Sequence, residues 1–288
     1  MSVEIEKSVP VVEDGIKYWT SQPASDDGVL GGYGTGSLPR VESLGSRQFI
    51  LYIRPDLCIV PSALRPLNII PPPRRTRALD VGAGVGRVTS DTLLHLVSDV
   101  VLVEPVESLL QEAIARGQAS SSTTQSSGVE PRSRQWKGIA DASKSVTFLQ
   151  DTLQSINPRR PTDSSTYIGR VGYTPEPSDD DLNSGFDIIW CQWCLMYMSD
   201  TDLVAFFRRG QAALRELDKS VIVVKENVSQ DGLDEDGCLS PSVTFDKDDS
   251  SVTRSDQAWK GLFKEGGLTL VHEQVQNGLP EGLYAVKM

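Results

Sequence analysis

From residue 77 onward, apolar runs of four to six residues alternate with longer stretches whose apolar positions recur every three or four residues. Short continuous apolar runs suit strands buried on both faces, and the longer periodic stretches suit helices packed over them. Strands are expected near residues 77–81, 100–103, 146–149, 186–190, 221–225, 268–273 and 283–287, with helices near 88–96, 108–115 and 200–214. That order predicts an α/β fold: a seven-stranded, mostly parallel sheet flanked by helices. Residues 1–70 differ in kind. They carry Tyr18-Trp19, the glycine-rich Gly28-Val29-Leu30-Gly31-Gly32-Tyr33-Gly34 and a helical pattern over 46–57, but no clear strand, and read as an N-terminal helical cap. Pro71-Pro72-Pro73 with Arg74 and Arg75 reads as a stiff exposed connector after it. Residues 118–144, rich in Ser, Thr and Gln, and 157–184, rich in Pro, Ser and Asp, lack apolar periodicity and are expected to be mobile surface insertions.

Length and composition narrow the picture. At 288 residues the chain sits at the upper edge of what one core serves, so one decorated domain over residues 1–288 is the expectation. No apolar run approaches the roughly 18 residues of a membrane span, and the N-terminus lacks the layout of a signal peptide. A soluble protein of the cytoplasm, with the nucleus as a second compartment, is expected. The formal charge of −11 argues against nucleic acid as a direct partner, because that affinity rests on cations neutralising phosphates. Four cysteines do not make a disulfide scaffold here. Cys191 and Cys194 have C-x-x-C spacing, but no second pair accompanies them and His95 and His272 stand apart, so no metal site is expected. His272, within the expected strand at 268–273, reads as structural.

The strongest local signal is Leu79-Asp80-Val81-Gly82-Ala83-Gly84-Val85-Gly86-Arg87. Glycines between a strand and a helix let the backbone turn sharply and approach a ligand, while the helix start offers free N–H groups. In a dinucleotide fingerprint the third glycine falls where Arg87 stands; here it comes one residue early, at Gly86. The G-x-G-x-G spacing is that of class I methyltransferases, whose cofactor, S-adenosyl-L-methionine, carries a carboxylate instead of a pyrophosphate. Arg87 offers a planar fork suited to a carboxylate. Glu104 ends the second strand 18 residues after Gly86, placed to accept hydrogen bonds from ribose hydroxyls.

A narrower resemblance rests on Tyr18-Trp19, the Gly28–Gly34 segment, Ser46-Arg47, the glycine loop, Asp187-Ile188-Ile189-Trp190-Cys191-Gln192-Trp193, Lys225-Glu226-Asn227 and Asp249-Ser250-Ser251-Val252-Thr253-Arg254. Together they resemble the alpha-N-terminal protein methyltransferases across nearly the whole chain outside the two insertions. The resemblance implies a Rossmann-like class I methyltransferase that methylates the amino terminus of proteins beginning Xaa-Pro-Lys after Met removal, ribosomal proteins among them. It implies cofactor contacts by Gly82, Gly84, Arg87, Glu104, Leu153, Gln154 and Gln192, with Leu153 and Gln154 against the adenine. On the substrate side it implies that Trp193 and Leu30 flank the proline and Trp19 lines the channel. Asn227 would bind the first carbonyl, Asp246 and Asp249 would face the amine and the third-position Lys, and Ser251 would belong to the same site.

Residues 226–249 carry eight acids against one lysine after a strand end, where α/β folds bind ligands. Asp231, Asp234, Glu235 and Asp236 read as a solvated loop; Asp249 is the expected base. The chemistry suits an α-amine, which titrates near about 7.7–8.0 and so yields its proton more readily than a lysine near about 10.4. One departure from the family pattern stands at Tyr197, where a His is usual. A phenol titrating near about 10 is no neutral base, so Tyr197 is expected to position the amine. Two other functions remain open at this level: a small-molecule or other protein methyltransferase, and a non-catalytic interaction module that has kept the cofactor fold.

Overall fold

The computed structural model describes residues 9–58, 74–121, 135–176 and 181–288; the connector at 71–73 and much of the first insertion lie outside them. The cap holds three helices, α1 (Val12–Ser21), α2 (Asp26–Val29) and α3 (Leu38–Ile53). Then follow β1 (Arg77–Val81), α4 (Arg87–Asp91), β2 (Asp99–Val103), α5 (Glu107–Ser121), β3 (Ser145–Gln150), α6 (Pro161–Ser164), β4 (Thr166–Gly172), β5 (Ile188–Gln192), α7 (Asp200–Ala212) and β6 (Val221–Ser229). The chain ends with β7 (Gly232–Leu233), β8 (Leu239–Ser240), β9 (Val243–Asp246), β10 (Ser251–Ser255), α8 (Asp256–Glu265) and β11 (Ala285–Lys287). No helix among the described residues is long and apolar enough to cross a membrane.

The main sheet runs β4-β3-β2-β1-β5-β6-β10-β9, with β11 also paired to β6. The central strands β3-β2-β1-β5-β6 are parallel neighbours. The chain leaves β1 toward β2 and β3, then returns to β5 on its other side, so the strand order reverses between β1 and β5. Ligands bind above the carboxyl ends of the strands at such a point. Side chains alternate across the sheet: Ala78, Leu102, Phe148 and Trp190 pack with α3 residues Phe49 and Ile50 on one face, while Leu79, Val103, Ile189 and Phe207 pack with Trp259 on the other.

Several expectations are corrected. The sheet has nine strands, not seven. The run at 268–273 is no strand: β11 takes the available edge of β6, leaving only a single bridge from Val275 to Lys287 in that region. His272 accordingly lies outside any strand and packs its ring against Phe49 and Tyr52. Segment 157–184 contributes β4, antiparallel on the outer edge of β3. The strand is short within a segment otherwise rich in Pro, Ser and Asp, and its N-terminal half faces solvent, as edge strands do. In the first insertion, α5 continues to Ser121 and Trp136 and Ile139 are core residues. β9 and β10 form a hairpin next to the acidic segment. The helix expected over 88–96 breaks at Thr92 and continues as a 3-10 turn, and α3 starts eight residues before its expected position.

Candidate active site

A cavity of about 530 Å³ opens at the carboxyl ends of β1 and β5, roofed by α1 of the cap. Its cofactor end begins with the glycine loop. Gly82, Gly84 and Gly86 have φ of +62°, +57° and +79°, a region in which side-chain-bearing residues are strained. A Cβ on Gly82 would lie 2.4 Å from that of Cys194, whereas Gly84 faces open space apart from Val29. The Gly84 N–H donates to Glu104 Oε2 at 2.7 Å and the Val106 N–H to Oε1 at 2.9 Å, which fixes the carboxylate at the cavity wall. Burial pushes the Glu104 carboxyl up to about 7. Leu153 and Gln154 line the same cavity after β3, held because Arg209 of α7 donates to both of their carbonyls at 3.0 Å.

Arg87 and Gln192 also line the cavity, but neither stands free. Arg87 is ion-paired to Glu42 of α3. Gln192 donates to Glu42 Oε2 at 2.9 Å and accepts from the Trp190 indole at 3.1 Å, so both ends of its amide have protein partners. Lys225 donates to Glu42 Oε2 at 2.8 Å and to Ser46 Oγ at 2.8 Å. Glu42 and Lys225 are wholly buried.

At the other end, Trp19, Leu30, Trp193, Tyr197, Asn227 and Asp249 line the cavity together. Tyr197 Oη donates to Asp249 Oδ2 at 2.9 Å, and the Ser251 N–H donates to Oδ1 at 3.0 Å. Burial and the Asp249 charge push the Tyr197 phenol well above its ordinary range, which makes it a lasting donor. Trp193 has φ +52°, a strain of about 1–3 kcal/mol in a residue with a side chain. The turn is held by the Trp193 N–H donating to the Lys225 carbonyl and by Glu226 Oε1, which accepts from the Cys194 and Leu195 N–H groups at 2.9 and 2.8 Å. Val11, just ahead of α1, donates its N–H to Ser250 Oγ at 2.9 Å, tying the roof to the Asp249 loop.

Two expected site residues stand elsewhere. Ser251 is buried behind Asp249 and reaches the cavity only through that hydrogen bond. Asp246 is exposed at the end of β9, outside the cavity wall, because the antiparallel hairpin sets it opposite Ser251. It lies near the mouth: burial first, and then the charges of Asp249, Asp246 and Asp248, raise the phenol of the cavity-lining Tyr18. Cys191 and Cys194 are buried free thiols whose pKa burial pushes far up. Among the described residues no cluster of His, Cys, Asp and Glu suits a metal ion.

Glu42 escaped the sequence reading, although a signal for it existed. It and Ser46 sit four residues apart in the buried stripe of α3 with Leu38, Phe49 and Ile50, and polar residues in an apolar stripe need partners. Arg87 Nε and the Trp193 indole N–H are buried with no partner among the described residues. Open donors on a cavity wall, a backbone without side chain at Gly84 and an acid at the end of β2 fit a ligand with ribose hydroxyls and a carboxylate.

Fold and site together define a class I S-adenosylmethionine-dependent methyltransferase. The chain matches the family described as "AdoMet dependent proline di-methyltransferase" over residues 7–130 and 141–288, and belongs to that family. It is 34% identical over 275 residues to "Alpha N-terminal protein methyltransferase 1" of Schizosaccharomyces pombe, covering 96% of this chain and 93% of that one. It is 28% identical to "N-terminal Xaa-Pro-Lys N-methyltransferase 1" of Homo sapiens over 93% of this chain and 89% of the relative. A solved structure from Leishmania major, described as a SAM-dependent methyltransferase, superposes with a TM-score of 0.63 at 27% identity, covering 96% of this chain and 80% of that one.

Proposed function

We propose that the protein methylates the α-amine of protein N-termini beginning Xaa-Pro-Lys, ribosomal proteins being the partner class that the family resemblance implies. The observation that carries this reading is the Tyr197–Asp249 hydrogen bond, 2.9 Å long, in the cavity that also holds the glycine loop and Trp193. When bound, S-adenosylmethionine supplies a methyl group made electrophilic by a sulfonium. Glu104 accepts from the ribose hydroxyls, since each of its oxygens keeps a lone pair beyond its backbone partner. Arg87 faces the carboxylate, and Leu153 and Gln154 meet the adenine.

On the substrate side, Leu30 and Trp193 flank the proline ring, where a flat aromatic face gives affinity at low entropic cost. Asn227 donates to the first carbonyl, and Trp19 closes the channel. Asp249 receives the terminal ammonium and takes its proton, directly or through water, leaving a neutral amine. An amine so deprotonated would be the acceptor of the methyl group that bound S-adenosylmethionine would supply, with S-adenosylhomocysteine as the leaving product. Tyr197 donates to Asp249 and orients it. Asp246 and Asp248 form an acidic rim at the mouth that attracts the lysine at position three.

The amine takes up to three methyl groups, or two when the first residue is proline. Mass spectrometry of Ser-Pro-Lys and Pro-Pro-Lys peptides incubated with S-adenosylmethionine tests this: steps of one methyl, up to three and two respectively, are expected. No mass gain from a protein that binds the cofactor would overturn it.

A further inference from the structure

The Glu42 cluster has no place in the chemistry above, yet it touches the cofactor end of the cavity from below. Glu42 comes from α3, in the cap, and its carboxylate is completely buried. Its two oxygens gather Arg87, Lys225 and Gln192. Lys225 is held further by the Glu42 carbonyl at 3.1 Å and by Ser46 Oγ. With both cations charged, the group carries two positive charges against one negative. That is one positive charge in excess, beside a cavity read as taking a carboxylate. Burial and the neighbouring Arg87 charge push Lys225 down to about 6, so without a ligand the lysine sheds that excess.

We propose that Glu42 is the positioning residue of the carboxylate clamp, pinning Arg87 so that the guanidinium meets the methionyl carboxylate of S-adenosylmethionine already oriented. This rests on the reading of Arg87 as the carboxylate's partner. Glu42 Oε1 is ion-paired to Arg87 Nη1, and the Arg87 Nε donor remains without a hydrogen-bond partner among the described residues. Glu42 cannot follow Arg87 about, because Lys225 and Gln192 hold its second oxygen. An arginine pinned in this way loses little further side-chain freedom when a ligand binds. Without Glu42, Arg87 would be a buried cation with no anion beside it, and nothing would hold the guanidinium in its place. The cap, expected from sequence to serve the substrate channel, therefore also sets the cofactor site.

Calorimetric binding of two probes separates this role from a merely structural one. S-adenosylhomocysteine carries the carboxylate; 5′-methylthioadenosine shares its adenosine but has no amino-acid part. Glu42→Gln should weaken S-adenosylhomocysteine at least tenfold and change 5′-methylthioadenosine less than twofold. Equal weakening of both, or unchanged or tighter S-adenosylhomocysteine, would overturn the proposal. Should E42Q fail to fold, the double variant E42Q/K225M removes one charge of each sign and is expected to show the same selective loss; wild-type binding of both probes by it would overturn the proposal. Arg87→Met tests the underlying reading separately. If it leaves the preference for S-adenosylhomocysteine intact, Arg87 is not the carboxylate partner and both ideas fall; if it abolishes the preference while E42Q does not, only the role of Glu42 falls.

Discussion

Asp249 has both carboxylate oxygens engaged, one by the backbone of Ser251 and one by the phenol of Tyr197. The two side chains therefore have unequal roles. Removing the phenol in Tyr197→Phe frees Oδ2 for water or for the amine, and the loss in kcat is expected to be about tenfold, the size of one hydrogen bond to a charged acceptor. Asp249→Asn removes the proton acceptor and the counter-charge of the ammonium together, and is expected to cost about a hundredfold or more. Steady-state kinetics on a Ser-Pro-Lys peptide checks the order; a greater loss in Y197F would make the tyrosine the principal group. Sequence assigned Tyr197 a role in positioning the amine, but nothing in residue order reveals that it meets a side chain 52 residues away.

The loop between β5 and α7 is the element on which the substrate end depends. It carries Trp193 in a left-handed conformation and Tyr197 in a 3-10 turn. It is anchored from outside by Glu226, which accepts from two of its N–H groups, and by Arg254, which donates to the carbonyls of Leu195 and Met198. Glu226→Ala would leave two buried N–H groups unpaired, a loss of about 2–4 kcal/mol in folding stability. Urea unfolding measures it, and a change below about 0.5 kcal/mol, as for an uninvolved surface site, would show that the loop holds its shape unaided. Strands β1, β2, β3 and β5 were readable because burial on both faces demands continuous apolar runs. β4 and β9 were not, because they are short, partly solvated runs without a clear apolar alternation, and β10 was not, because it is largely buried yet polar at Ser251, Thr253, Arg254 and Ser255. The run at 268–273 erred the other way: the pairing with β11 falls on Gln274, Val275 and Gln276, just after the apolar run, so apolar residues alone did not locate it.

For the molecule as a whole, the cavity is surrounded by ionisable groups held away from water, which makes stability depend on pH. Burial pushes the carboxyls of Asp80, Glu104 and Glu226 up to about 7, whereas in the unfolded chain such groups titrate near about 4. From about pH 4.5 to 7 the folded protein therefore holds protons that the unfolded chain has released, and stability falls as pH rises through that window. Lys225, pushed down to about 6, acts with the opposite sign only above that value. The cofactor-free protein is expected to lose melting temperature between pH 5 and 6.5, measured by calorimetry at constant ionic strength; a rise over that interval would contradict a burial that outweighs the hydrogen bonds these acids accept.

The sequence by itself determined the central parallel sheet, the ligand class of the glycine loop and the family. Each rests on local pattern: apolar runs for the strands, the spacing of Gly82, Gly84 and Gly86 before Arg87, and short motifs whose order survives along the chain. Only the tertiary structure decided that Arg87 and Gln192 share Glu42, that Asp246 stands at the rim instead of in the cavity, and that Tyr197 serves Asp249. Those facts depend on which distant side chains meet. That is settled by packing α3 against the sheet and by the register of the β9–β10 hairpin, and residue order does not say which partners either will bring together.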